Sequence, residues 1–116
     1  MSLFKKETPY PHWEYIDQKT QDRLRVVPDR GGLVTEWRCN GKERFYFDRK
    51  RFLETNLSVR GGVPVLFPIC GNLPGDSLPL PLAKFPLEQH GFARNVSWDI
   101  RMTAAQDGVI LSLKDN

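Results

Sequence analysis

Leu-Val-Thr-Glu-Trp-Arg-Cys-Asn-Gly-Lys-Glu-Arg-Phe-Tyr-Phe, residues 33–47, is the most informative stretch of this 116-residue chain for its fold class. Leu33 and Trp37 belong to a run in which side chains alternate in direction, the two-residue period of a half-buried strand. Asn40-Gly41 separates two such runs and favours a type I′ turn, whose two central residues both need positive φ. The stretch therefore predicts a β-hairpin over residues 33–47.

The same alternation continues on both sides of this hairpin. Upstream, residues 13–26 alternate around Trp13 and Val26, which indicates two further half-buried strands. Downstream, residues 96–103 and 109–114 alternate on either side of an Asp-Gly turn and predict a second hairpin. We therefore expect an all-β, antiparallel protein that forms a single unit over residues 1–116.

Four segments interrupt the alternation. Residues 1–11 are polar and contain prolines, so we expect a lead-in arm or an edge segment. Residues 48–57 are the only ones with helical spacing and predict a turn or one helical turn. Residues 63–69 are apolar but contain two prolines, which favours an extended edge or an irregular lining strand. Residues 72–86 are rich in proline and predict a long loop.

Composition narrows the class of protein and of partner. Hydrophobic residues make up 40% and charged residues 27% of the chain, which is ordinary for a globular protein. The net charge of +3 is too mild to indicate nucleic acid as a partner, and no apolar stretch suits a membrane. The first 13 residues do not resemble a signal peptide, so we expect a cytoplasmic protein.

The sequence indicates no metal, nucleotide or flavin cofactor. The two cysteines, Cys39 and Cys70, are too far apart for metal-ligand spacing, and we expect both to be buried free thiols. His12 lies outside any recognisable motif, and we assign it to the surface.

Two glycine-containing motifs are the candidates for function. The first is Arg-Gly-Gly-Val-Pro-Val-Leu-Phe-Pro, residues 60–68, and the second is Gln-His-Gly-Phe-Ala-Arg, residues 89–94. Glycine lets backbone and neighbouring side chains approach a ligand closely, because no Cβ stands in the way. Polar groups held among apolar neighbours are typical of a small-molecule pocket.

In this order, the two motifs resemble the aldose 1-epimerase (galactose mutarotase-like) family, and within it the hexose-6-phosphate mutarotase branch. The resemblance implies an antiparallel β-sandwich, called a supersandwich, of which this chain would be the N-terminal portion. It also implies interconversion of the α and β anomers of a hexose. Family members resemble a chain well over twice this length, so their catalytic histidine and glutamate are expected beyond Asn116. We therefore expect no catalytic residue within this chain and no activity from it alone.

The resemblance assigns three charged or titratable residues to substrate binding. His90 matches the family histidine that is expected to hydrogen-bond the sugar near its ring oxygen. Arg60 and Arg94 offer guanidinium forks that suit a phosphate group and so favour a phosphorylated sugar. The alternative is that each arginine closes a salt bridge within the fold, for example with Glu88 or Asp48.

Three further residues complete the predicted site. Gln89 is a candidate contact to a sugar hydroxyl, while Phe67 and Phe92 could stack on a sugar face or simply belong to the core. The partner is then a small-molecule sugar or sugar phosphate. Two other functions stay open: a non-catalytic carbohydrate-binding or regulatory module, and an interaction protein that uses residues 78–86.

Overall fold

The structure is a computed structural model that describes residues 1–81 and 84–114, and within them nine strands form three antiparallel sheets. The strands are β1 (Ser2–Lys6), β2 (His12–Ile16), β3 (Arg23–Val27), β4 (Leu33–Cys39), β5 (Lys42–Glu43), β6 (Ser77–Pro79), β7 (Lys84–Pro86), β8 (Asp99–Met102) and β9 (Val109–Ser112). The one α-helix of this part of the chain, α1, is a single turn at Arg49–Phe52. The predicted all-β, antiparallel class is confirmed.

Five strands form the main sheet in the order β1-β2-β3-β4-β5, each paired with the next one along the chain. Glu14 of β2 faces Arg25 of β3, and Arg25 faces Glu36 of β4. The register then shifts between Arg25 and Val26, an irregularity that places consecutive residues of β3 in the interior. This sheet carries the N-terminal half of the chain.

The predicted hairpin is confirmed over β4 and β5. Its turn residues Asn40 and Gly41 have φ values of 53° and 73°, as a type I′ turn requires. The second strand ends at Glu43, earlier than the alternation predicted. The Glu43 carboxylate accepts the backbone N–H groups of Trp37 at 2.8 Å and Phe45 at 3.1 Å. The next rung therefore keeps one backbone bond, from the Arg44 N–H to the Trp37 carbonyl oxygen at 2.8 Å, while the Trp37 N–H donates to a side chain.

A small apolar core packs beside the main sheet. Its buried members are Tyr10, Val27, Leu33 and Phe52, with Phe47 and Val59 packed against them. Helix α1 supplies the Phe52 ring, and its first turn is capped by Asp48, whose carboxylate accepts the Arg51 N–H at 3.0 Å. A single helical turn, one of the two alternatives predicted within residues 48–57, is confirmed. We expected no strong cap in this stretch, and the Asp48 cap corrects that expectation.

Two segments outside the predicted hairpins contain strands. Within residues 1–11, β1 forms an edge of the main sheet, which confirms the edge segment, one of the two alternatives predicted there. The predicted proline-rich loop at residues 72–86 contains the β6–β7 pair, in which Ser77 faces Pro86 and Pro79 faces Lys84. Proline is tolerated there because a two-stranded sheet consists of edge strands only. Residues 82–83 of this segment lie outside the described part of the chain.

The C-terminal hairpin is confirmed, with β8 paired to β9. Both cysteines are free thiols, as predicted, but their burial differs from the prediction because Cys70 is exposed and Cys39 is only partly buried. In residues 1–81 and 84–114, no helix has both the length and the apolar character needed to cross a membrane.

Candidate functional site

The two glycine motifs are joined by backbone hydrogen bonds. Phe67 and Gly91 form a parallel bridge, and the carbonyl oxygen of Phe67 accepts the N–H groups of Phe92 at 3.0 Å and Ala93 at 3.1 Å. Gly91 has a φ of 74°, and a Cβ on it would lie 2.3 Å from the Phe67 carbonyl oxygen. The second motif can therefore lie against the first only with glycine at this position.

His90 is held by a reciprocal pair of hydrogen bonds to Gly71. The His90 N–H donates to the Gly71 carbonyl oxygen at 2.8 Å, and the Gly71 N–H donates to His90 Nδ1, also at 2.8 Å. A tight turn over residues 88–91 closes through a 2.9 Å bond from the Gly91 N–H to the Glu88 carbonyl. The half-buried imidazole is thus fixed by backbone on its Nδ1 side.

Phe67 and Phe92 do not belong to the core. Their ring centroids lie 6.2 Å apart at an interplanar angle of 88°, an edge-to-face contact. The Phe67 side chain is 55% exposed and that of Phe92 is 40% exposed. The two rings therefore present apolar surface beside His90 that a ligand could cover.

Arg94 is anchored from both its backbone and its side chain. A Cβ at Gly31 would lie 2.3 Å from the Arg94 Cα, so the turn after β3 lies directly against this backbone. The Arg94 Nη2 donates to the Gln89 carbonyl oxygen at 3.2 Å, while its Nε is buried and has no acceptor among the described residues. The side chain is thus held close to the turn that carries His90.

Arg60 lies at the far end of the first motif. Its carbonyl oxygen accepts the Asp48 N–H at 3.0 Å, and its neighbour Gly61 bridges to Phe47. Within residues 1–81 and 84–114, the exposed Arg60 side chain forms no hydrogen bond to the His90 group, and neither Arg60 nor Arg94 forms an ion pair. The structure thus groups five of the six predicted residues and leaves Arg60 apart from them.

Among the grouped residues, Phe67, Gln89 and Phe92 are exposed, while His90 and Arg94 are half-buried. Two cavities of the described chain, of about 340 Å³ and 240 Å³, lie elsewhere and are not lined by any of the six predicted residues. The larger one lies over Tyr10, Val27 and Phe52, and the smaller one lies beside Tyr15 and Trp37.

A buried polar cluster lies on the main sheet, and sequence reasoning missed it. The prediction that His12 lies on the surface is wrong, because His12 is only 1% exposed. Its Nδ1 lies 2.7 Å from the Tyr10 carbonyl oxygen, and its Nε2 lies 3.1 Å from Glu14 Oε1. The signal was present, since His12 and Glu14 are two residues apart on one strand and so share a face.

Glu14 is the centre of this cluster. The same Oε1 accepts from Arg25 Nη2 at 3.1 Å, and Oε2 lies 3.0 Å from Lys6 Nζ. Burial raises the pKa of Glu14, but hydrogen bonds from Lys6, His12 and Arg25 and the charge of Arg23 outweigh it and lower the pKa from 4.5 to about 2. The carboxylate is therefore ionised at neutral pH and holds three strands together.

The row of charges continues across β4. Arg25 forms a second ion pair with Glu36, which also pairs with Arg49 at 3.4 Å. The paired side chains thus form a row that crosses the sheet and alternates between positive and negative charge: Lys6, Glu14, Arg25, Glu36 and Arg49. We assign this row to the fold, because Glu14 and Arg25 at its centre are almost fully buried and Arg25 pairs with both glutamates.

Comparisons with known proteins found similar sequences and a similar structure. No family model matches the chain. Over 71 residues, which are 60% of this chain and 18% of the relative, it is 37% identical to a protein of Cenchrus ciliaris named "Putative glucose-6-phosphate 1-epimerase". A protein of the same name from Salmonella typhimurium is 30% identical over 87 residues, 73% of this chain and 26% of that protein.

A solved structure is also similar. The Slr1438 protein from Synechocystis sp. PCC 6803 is 47% identical and superposes with a TM-score of 0.76, over 92% of this chain and 36% of that one. The chain therefore spans about a fifth to a quarter of the two curated relatives, 18% and 26%, and 36% of this solved chain. The resemblance drawn from the two motifs is confirmed, because over part of their length the chain is similar to proteins named "Putative glucose-6-phosphate 1-epimerase".

Proposed function

We propose that this chain supplies substrate binding for an aldose 1-epimerase that interconverts the α and β anomers of a hexose 6-phosphate. One observation carries the proposal: the Phe67 carbonyl accepts the amides of Phe92 and Ala93 and so joins the two motifs. This junction brings His90 and Arg94 close to two exposed aromatic rings. An imidazole, a guanidinium and apolar surface are the groups that a sugar phosphate would need.

In mutarotation, a base takes the proton of the anomeric hydroxyl while an acid protonates the ring oxygen and the ring C–O bond breaks. The open aldehyde rotates about its C1–C2 bond, and the hydroxyl recloses on the other face of the carbonyl. We assign binding roles around this reaction. His90 donates to the sugar near its ring oxygen, Arg94 binds the phosphate, and Gln89 contacts a hydroxyl. Arg60 lies apart from this group, so we assign it no contact with the same phosphate.

We assign no catalytic role within this chain. The Asp48 carboxylate is already occupied as the cap of α1, where it accepts the Arg51 N–H, so it is not proposed as the base. Glu88 is exposed and contributes its backbone carbonyl to the turn. The second candidate function, a non-catalytic carbohydrate-binding or regulatory module, is favoured by the same observation, because binding groups are present without an assigned base.

A titration tests the binding proposal. Calorimetry or amide NMR with glucose 6-phosphate should show binding that Arg94→Ala weakens by roughly 10-fold or more, because a charge-assisted hydrogen bond contributes about 1.5–3 kcal/mol. Arg101→Ala, at an exposed arginine of β8, is the matched control and should leave the affinity unchanged. Equal affinity of the native chain and Arg94→Ala would remove Arg94 from the site.

Saturation-transfer NMR on the same sugar phosphate separates the two functions. We expect residues 1–116 alone to bind without accelerating anomer exchange above the rate in buffer. An accelerated rate would show that an acid and a base lie within this chain, and it would exclude the non-catalytic module. A cytoplasmic location stays a prediction, which fractionation of the source cells would test.

A further inference from the structure

We infer that Gly71 is a positioning residue for His90, whose imidazole it holds in the Nε2–H form so that His90 meets its ligand as a hydrogen-bond donor. This inference rests on the proposed function for the identity of the ligand. The part that concerns the tautomer of His90 applies to the chain without any ligand.

The backbone amide of Gly71 decides which ring nitrogen carries the proton. An amide N–H can only donate, and it lies 2.8 Å from His90 Nδ1, so this nitrogen must accept with its lone pair. Neutral imidazole has one N–H group, which is then at Nε2. The acceptor side of the ring is already used by the protein, and only a donor remains for a ligand.

The ring cannot easily turn away from this arrangement. The backbone N–H of His90 donates to the Gly71 carbonyl at 2.8 Å, so two hydrogen bonds join the same two residues. His90 itself has a φ of 64° and occupies the third position of the turn closed by Glu88 and Gly91. Rotation of the imidazole would leave the half-buried Gly71 amide without its partner, which is costly.

The donor form restricts what His90 can bind. The ring oxygen of a pyranose has lone pairs and no hydrogen, so it pairs with Nε2–H but not with a bare nitrogen. In the opposite tautomer His90 would instead accept from a sugar hydroxyl. Gly71 therefore makes His90 a donor to an acceptor oxygen of the ligand, such as the ring oxygen, and it keeps His90 from acting as a base through Nδ1.

The tautomer can be measured directly. Long-range ¹⁵N–¹H correlation of the full chain at about pH 8, where model imidazoles are neutral, should show an unprotonated Nδ1 and a protonated Nε2 for His90. The chain has two histidines, and His12 is an internal contrast because both of its ring nitrogens face acceptors, Nδ1 the Tyr10 carbonyl oxygen and Nε2 the Glu14 carboxylate. A protonated Nδ1 on His90 would overturn the inference.

Two substitutions at His90 test the roles of Nδ1 and Nε2 separately. In His90→Asn the amide oxygen can take the place of Nδ1, so the Gly71 amide should stay protected from hydrogen exchange. In His90→Gln an amide group reaches the place of Nε2, but the Nδ1 acceptor is lost and Gly71 should lose its protection. Equal protection of Gly71 in both variants would contradict the positioning role.

Binding of glucose 6-phosphate links the geometry to function. His90→Asn should weaken it by about 3- to 10-fold, the range expected for one neutral hydrogen bond. Different outcomes would refute the proposed function and the positioning role of Gly71. If the nitrogen pattern is as expected but glucose 6-phosphate does not bind, the proposed function is wrong and the positioning stands; binding with the opposite tautomer refutes the positioning alone.

Discussion

Replacing Glu14 with glutamine removes the central charge of the buried cluster and keeps the shape of the side chain. Glu14 is 2% exposed and lies within 3.1 Å of groups on Lys6, His12 and Arg25. Glutamine can still accept one hydrogen bond, but it leaves the positive charges of this cluster with less compensation. We therefore expect Glu14→Gln to destabilise the fold at neutral pH.

The size of the effect follows from the pKa of Glu14. The pKa falls from 4.5 to about 2 in the folded chain, a difference of about 2.5 units. At about 1.4 kcal/mol per unit, the charged carboxylate stabilises the fold by about 3 kcal/mol at pH 7. Breaking a buried ion pair by removing one partner costs about 3–5 kcal/mol, which agrees with this value.

The lowered pKa of Glu14 also determines how the free energy of unfolding depends on pH. Because the folded-state pKa is lowered, the stabilisation is fully present above the unfolded pKa of 4.5 and is lost as pH falls toward 2. About 2 kcal/mol of it should be lost by pH 3. Glu14→Gln cannot titrate at this position, so the difference in unfolding free energy between the two chains should shrink over this range.

Urea denaturation followed by tryptophan fluorescence, at pH 7 and at pH 3, measures both quantities. Glu54→Gln, at an exposed glutamate beside α1, is the control and should change the free energy of unfolding by less than about 0.5 kcal/mol. A loss below about 1 kcal/mol for Glu14→Gln at pH 7 would refute the assignment of the cluster to the fold. A difference that stays constant from pH 7 to pH 3 would refute the lowered pKa.

Two further stability measurements test the junction of the motifs and the cap of α1. Gly91→Ala should cost about 2 kcal/mol or more in urea denaturation, because its Cβ would lie 2.3 Å from the Phe67 carbonyl oxygen. Gly75→Ala shares the positive φ but has nothing within 4 Å of its Cβ, so it should cost only about 1 kcal/mol, and equal losses would deny the close contact. Asp48→Ala should cost about 1 kcal/mol through the lost bond to the Arg51 N–H, whereas an unchanged midpoint would show that the cap does not contribute.

Local pattern in the sequence was enough to predict the hairpins. Alternation and the Asn40-Gly41 dipeptide predicted the β4–β5 pair, because a two-residue period and a turn with positive φ are properties of neighbouring residues. The pattern did not predict that β5 would end at Glu43. That end depends on a carboxylate that accepts the amide of Trp37 across the hairpin.

The two motifs were enough to predict which proteins this chain resembles, because motif residues and their order can be read directly from the sequence. Which strand faces become buried was decided only by the tertiary structure: period-2 alternation says which side chains share a face and not which face is covered. For this reason the alternation did not predict that His12 and Glu14 are buried. Lys6 of β1 and Arg25 of β3 supply the positive charges that contact the buried Glu14 carboxylate. The amide that holds His90 likewise comes from Gly71, 19 residues away, and only folding brings the two together.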